Sequence, residues 1–234
     1  MNSEHKNLLG KIKNHRGQGT AHTSNDSYIL SGHLYYDVSV PIRRQIAKDW
    51  LRENKSISQK DFVAVLDSLY QGESHEEKTL ASYLLGYSQS HRSNVKPEKL
   101  NQWLNHLVGW AEVDSLSQNI FTAEEILGNW PAWQNLLEKL SRDKNINKRR
   151  ASLALLTGPT HRSNDKRLSD LSFKIIDSLK SEKEIIITKA ISWLLREMSH
   201  QHKKSVSDYL KENEESLPKI AVRETWQKIK TGKK

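Results

Sequence analysis

Apolar residues return at steps of three and four along most of the chain, the spacing that lines them up on one face of an α-helix. Ile42, Ile46, Trp50 and Leu51 form one such stripe, Phe62, Val65, Leu66 and Leu69 a second, and Leu80, Tyr83, Leu84 and Tyr87 a third. The period continues through Leu100 to Val108, Val113 to Phe121, Trp133 to Leu140, Ala151 to Leu156, Leu168 to Leu179, Ile185 to Met198, Val206 to Leu210 and Ile220 to Ile229. Breaker and capping residues stand at the joints: Pro41, Ser58, Pro97, Pro131, the Gly158-Pro159 pair, Ser181 and Pro218. Strand-like alternation is missing, and the β-branched run Ile185-Ile186-Ile187-Thr188 lies in a helical frame, where it reads as a buried helix face.

The pattern predicts an all-α chain of roughly a dozen helices whose pairs recur about every 35 to 45 residues. Each pair must bury its apolar face on the next, as in a solenoid of about six HEAT-like helix pairs. Such arrays curve, and a concave basic groove would match an elongated ligand such as duplex DNA. Residues 1–25 mix Lys, His, Asn, Gly and Ser with little periodicity, so they are expected as a flexible basic arm or one short helix. Residues 26–234 are expected to form a single HEAT-like repeat domain.

Charge sharpens the partner. The chain carries 37 Lys and Arg against 28 Asp and Glu, a formal net charge of +9, which favours a polyanion, with an acidic membrane surface as the other possibility. Between Arg142 and Arg167 eight basic residues face only Asp143 and Asp165, a local net of +6 that suggests phosphate contacts and salt-sensitive affinity. The absence of cysteine excludes disulfides, thiolate metal ligands and thiol nucleophiles. No run of about 18 apolar residues is present, and the first 25 residues are too polar for a signal peptide. A soluble intracellular protein is therefore expected, cytoplasmic and nucleoid-associated in a bacterium. His200 and His202 sit two apart and so point to different helix faces, and His33, His75, His91, His106 and His161 have no partner spacing. No metal and no cofactor are expected. Trp50, Trp103, Trp130, Trp133 and Trp226 fall in apolar frames and read as packing.

Candidate chemistry begins with Gly109-Trp110-Ala111-Glu112-Val113-Asp114-Ser115, which places an indole and a carboxylate four residues apart on one helix face. Lys148-Arg149-Arg150-Ala151-Ser152-Leu153 opens a later helix, and Thr188-Lys189-Ala190-Ile191-Ser192-Trp193-Leu194-Leu195-Arg196-Glu197 lies on another. With Val38-Ser39-Val40-Pro41-Ile42-Arg43-Arg44 ahead of them, these segments resemble the AlkD-type alkylpurine DNA glycosylases over about residues 28 to 230. The resemblance implies a right-handed α-solenoid with a concave basic groove. Its catalytic carboxylate would be Asp114, with Trp110 beside it and Arg150 as the cleft arginine. Trp193 would be the second cleft indole, Arg196 a basic residue on the same face, Tyr28 an aromatic of the lesion site, and Arg149 and Lys148 further DNA contacts. Asp37 departs from relatives that often carry Gly there.

The activity implied is excision of cationic N3- and N7-alkylated purines from duplex DNA, by a monomer, without base flipping. An alkylated purine already carries positive charge and departs readily, so a carboxylate that stabilises the developing sugar cation and orients water is sufficient catalysis. Indole faces favour a cationic sugar or base by roughly 0.5 to 2 kcal/mol each. Arginine can hold a phosphate with its planar fork. Two other readings keep the same fold: a non-catalytic DNA-binding scaffold, and a solenoid whose groove takes a peptide.

Overall fold

The structure is a computed structural model, and it describes residues 2–19, 29 and 31–232. Among these residues every regular element is helical: α1 (Ser3–Asn14), α2 (Val40–Glu53), α3 (Gln59–Tyr70), α4 (His75–Tyr87), α5 (Gln89–Arg92), α6 (Glu98–Trp103), a 3₁₀ turn (Leu104–His106), α7 (Gly109–Ser117), α8 (Ala123–Gly128), α9 (Trp130–Ser141), α10 (Ile146–Arg162), α11 (Lys166–Leu179), α12 (Ile185–Met198), α13 (Lys203–Asn213) and α14 (Lys219–Thr231). Extended pairing is confined to two isolated bridges, Gln18 with Val38 and Leu34 with Ser74.

Helix starts follow local chemistry. Ser74 with Glu77, and Thr122 with Glu125, form reciprocal capping boxes that satisfy first-turn N–H groups at α4 and α8. Ser58 accepts from Asp61 N–H at α3, and Pro41 and Pro131 sit in the first turns of α2 and α9 where a missing N–H costs nothing. The Gly158-Pro159 joint corrects the sequence expectation, because α10 runs through it and ends only at Arg162. Pro159 lies in the last turn, where few hydrogen bonds remain to break. Thr157 and Thr160 hydroxyls donate to the Ala154 and Leu156 carbonyls nearby. Gly158 also lies close to Asn119: a Cβ there would sit 3.0 Å from Asn119 Oδ1, which would have to shift by a few tenths of an ångström. A second correction concerns Ile185, which is 67% exposed while Ile187 is fully buried. Residues two apart on a helix point about 200° apart, so both cannot face the core.

The helices group into two compact units, residues 1–116 and 117–234. In the second, α10 lies along α12 and α12 along α14, with α9, α11 and α13 packed beside them. Inter-helix hydrogen bonds in both units recur at separations of 32 to 36 residues: Gln59 with His91, Asp67 with Trp103, Arg149 with Glu182, Arg150 with Ile186, Lys180 with Asn213, and Ser192 with Glu224. That recurring offset is the signature of stacked helix pairs, and most of these separations fall just below the 35 to 45 residues read from sequence.

In the first unit α1 is anchored by Leu8 and Ile12, both fully buried, and packs on α2, α3 and α4. Beneath it lies a buried polar belt at the start of α4. Glu76 accepts the Tyr36 and Val38 N–H groups at 3.1 and 3.3 Å, while His5 bonds to Glu77 at 2.6 Å. Lys78 donates to the Tyr70 and Gly72 carbonyls, and Arg43 donates to Thr79. Burial pushes the Glu77 carboxyl up, but the bonds from His5 and Ser74 outweigh it and hold it below its ordinary value.

Candidate functional site

Trp110 and Asp114 lie on α7 of the first unit, four residues apart and therefore on one face. Trp110 is 38% exposed, unusual for an indole, and Asp114 is half-buried. Gly109 opens the helix at φ +75°, a left-handed turn that a side chain would strain. What fixes the rotation of α7 is the residue between them. Glu112 is fully buried, accepts from Val108 N–H at 2.9 Å, and receives the Nδ1 atoms of His33 at 2.9 Å and His75 at 3.3 Å. Desolvation raises its pKa, yet these donors prevail and leave it below the ordinary carboxylate value. With Glu112 locked inward, Trp110 and Asp114 must face outward.

The second unit holds the remaining described site residues. Asn145 caps α10 by accepting from Asn147 N–H, and Lys148, Arg149 and Arg150 follow in the first turns. Arg150 is 6% exposed and donates to the Ile186 carbonyl at 2.6 Å, which ties the start of α10 to the start of α12. Lys148 is also buried and lies 3.4 Å from Asp143. Arg149 turns its fork to Glu182, with bonds of 2.8 and 3.1 Å, and reaches the Asp143 and Lys144 carbonyls as well. On α12, Trp193 is half-buried, while Arg196 is buried against Ser192 and Glu224. Three of the residues expected at DNA, Lys148, Arg149 and Arg196, thus have carboxylate partners inside the protein. Sequence shows the charges but not Glu182 or Glu224 as their mates, each about a repeat away. Tyr28 lies outside the described residues.

The basic stretch Arg142 to Arg167 also divides. Its two halves lie at opposite ends of α10, about 25 Å apart for a 17-residue helix. At the far end Arg167 is held by Asp165 at 2.7 Å and its guanidinium lies over the Trp130 ring. Arg142, Lys144, Arg162 and Lys166 remain exposed. Upstream, Arg43 is buried and Arg44 lies over the Tyr83 ring at 5.5 Å, so the Pro-x-Arg-Arg segment is scaffold. Asp37 adopts φ +58°, in the left-handed region that favours glycine.

Sequence reasoning missed Glu112 altogether, and it missed a group at the other end of α10 and α12. There His161, Glu197 and His200 bring one possible metal-ligand atom each within 4.8 Å of one another. A concavity of about 940 Å³ between α13 and α14, lined by Lys211, Glu215, Lys219, Arg223 and Trp226 among others, mixes charge signs and contains none of the expected site residues. Among the described residues no helix is long and apolar enough to cross a membrane.

The helix pairs and their recurring offset define an all-α protein consistent with a HEAT-like solenoid. A solved structure titled "Predicted DNA alkylation repair enzyme from Enterococcus faecalis" is similar to it at a TM-score of 0.66 and 21% identity, over 86% of this chain and 90% of that one. At that identity the likeness speaks for the fold. No curated protein matches the sequence. The family model described as DNA alkylation repair enzyme matches residues 11–229, and the chain belongs to that family. Its role is accordingly in DNA alkylation repair.

Proposed function

We propose that the protein is a DNA glycosylase that hydrolyses the N-glycosidic bond of cationic N3- and N7-alkylated purines in duplex DNA. The observation that carries this reading is the outward pair on α7: an exposed indole and a carboxylate on one face, held there by a buried glutamate on the opposite one. A carboxylate is poorly suited to a surface that only holds phosphates. It is well suited to a sugar cation.

In the reaction the C1′–N bond breaks with both electrons leaving on the purine, which departs neutral because alkylation had made it cationic. Asp114 stabilises the oxocarbenium-like sugar and orients a water, whose oxygen bonds C1′ and whose proton passes to the carboxylate and then to solvent. Trp110 offers a π face to the cationic sugar or base, and Trp193, on the second unit, is a further DNA contact. Arg150 contacts a phosphate through its guanidinium. Lys148 adds positive charge beside it, while Arg149 and Arg196 act by supporting the helices that present their neighbours. Because the substrate is activated by its own charge, no deep pocket for a flipped base is required.

The test is release of alkylated purines, without heating, from methylated duplex DNA by wild type and Asp114→Asn. We expect excision by wild type and a loss of at least 100-fold in the variant at unchanged DNA affinity, in line with removing a group that acts on developing charge. Equal inactivity of both with retained salt-dependent binding would instead identify a DNA-binding scaffold.

A further inference from the structure

We infer that His161, Glu197 and His200 form a binding site for one divalent transition-metal ion of the zinc class, at the shared end of α10 and α12. His161 lies in the last turn of α10, Glu197 in the last turn of α12, and His200 just beyond it. Three such ligand atoms within 4.8 Å need only a modest contraction, since ligands around tetrahedral zinc stand roughly 3.4 Å apart. His200 is exposed and free to turn, so it can supply that movement.

Three further observations support the site. The rings of His161 and His200 are 4.0 Å apart between centroids, a proximity that two protonated imidazoles would resist and a shared cation would stabilise. His161 Nδ1 lies 2.8 Å from Glu197 Oε2, yet it is buried outside hydrogen-bond geometry, a nitrogen close to its partner without a proper bond. The last turns of both helices converge here with their carbonyl ends, so the backbone dipoles favour positive charge. Lys228 is the nearby positive charge that opposes a bound cation.

Two imidazoles and one carboxylate suit zinc, cobalt or nickel and do not suit magnesium or calcium, which take oxygen ligands. With side chains of His161 and Glu197 exposed by 39% and 31%, the remaining coordination positions open to water. The bound ion would staple α10 to α12, neighbours in the stack, and stabilise the second unit. The site is independent of the glycosylase reading, because binding is measured without DNA.

The experiment is calorimetric titration of the metal-free full-length protein with Zn²⁺, alongside His161→Ala, His200→Ala and Glu197→Gln. We expect one ion per chain, a rise in melting temperature on binding, and affinity at least tenfold weaker in each variant while circular dichroism stays unchanged. Co²⁺ should give the visible absorption of a low-coordinate nitrogen and oxygen site, and Mg²⁺ should show no binding. Zinc affinity that survives both histidine substitutions, or no zinc binding at millimolar metal, would overturn the proposal.

Discussion

Two acids on α7, Glu112 and Asp114, lie two residues apart, and Glu112→Gln separates their roles. The wild-type carboxylate accepts at least three hydrogen bonds in a site with no solvent exposure, from Val108 N–H and from the rings of His33 and His75. A glutamine keeps one acceptor and turns the other oxygen into an NH₂ group facing donors. If the amide oxygen stays with the imidazoles, the Val108 N–H loses its partner at a cost of about 1–3 kcal/mol, and the surviving bonds lose their charge assistance, about 1 kcal/mol more. The expected total is roughly 2–4 kcal/mol of folding stability. Urea unfolding followed by circular dichroism and tryptophan fluorescence measures it directly. Asp114→Asn, at a half-buried position, should change stability by under about 1 kcal/mol. A Glu112→Gln loss below about 1 kcal/mol, or a comparable loss in both variants, would refute the assignment of Glu112 as the lock of this helix.

Two other expectations follow from the same chemistry. Glu77 has a folded pKa below its ordinary 4.5, so on acidification the unfolded chain takes up the proton first; its stabilising contribution is full above about 4.5 and is lost as pH falls through the folded value. Stability measured from pH 6 to pH 3 should therefore fall less steeply in Glu77→Gln than in wild type, and parallel curves would contradict this. A double-mutant cycle of Arg196→Ala and Glu224→Ala should give a coupling of about 1–2 kcal/mol, reduced by the partial exposure of Glu224. A coupling near zero, together with a salt slope for DNA binding that drops by about one phosphate in Arg196→Ala, would return that guanidinium to the DNA.

Much of the helical frame is legible in the sequence because apolar periodicity and caps are local properties. The stripes at Phe62 to Leu69 and Leu168 to Leu179 become α3 and α11 almost as written. His75-Glu76-Glu77-Lys78 is the opposite case. Such a run normally marks a solvated turn, yet Glu76, Glu77 and Lys78 are each at most 2% exposed. Beyond the local Ser74 cap of Glu77, their partners are His5, the Tyr36 and Val38 amides, the Tyr70 and Gly72 carbonyls and, through His75, Glu112. None of these is a helical neighbour, so periodicity carries no trace of them. At the candidate site the Trp110 and Asp114 pair could be read because i,i+4 is a local relation. The pairing of Arg149 with Glu182 and of Arg196 with Glu224 could not.

A single register explains why the unreadable contacts fall where they do. Arg150 meets Ile186 and His161 meets Glu197, each pair 36 residues apart. The two contacts are 11 residues apart on both helices, about 16 Å along either axis, so α10 and α12 run in parallel and in step. Residues from unrelated parts of the chain are therefore brought together by repeat offset, and the turn between α11 and α12 is where length is tolerated. One residue inserted among 180–184 leaves α12 free to keep its seating. One inserted inside α12 after Ile186 turns every later residue by about 100°, which swings Trp193, Arg196 and Glu197 off their present faces together while leaving the Arg150 tie intact. The positions that carry chemistry in this half of the molecule are thus held by helix phase as much as by any individual contact.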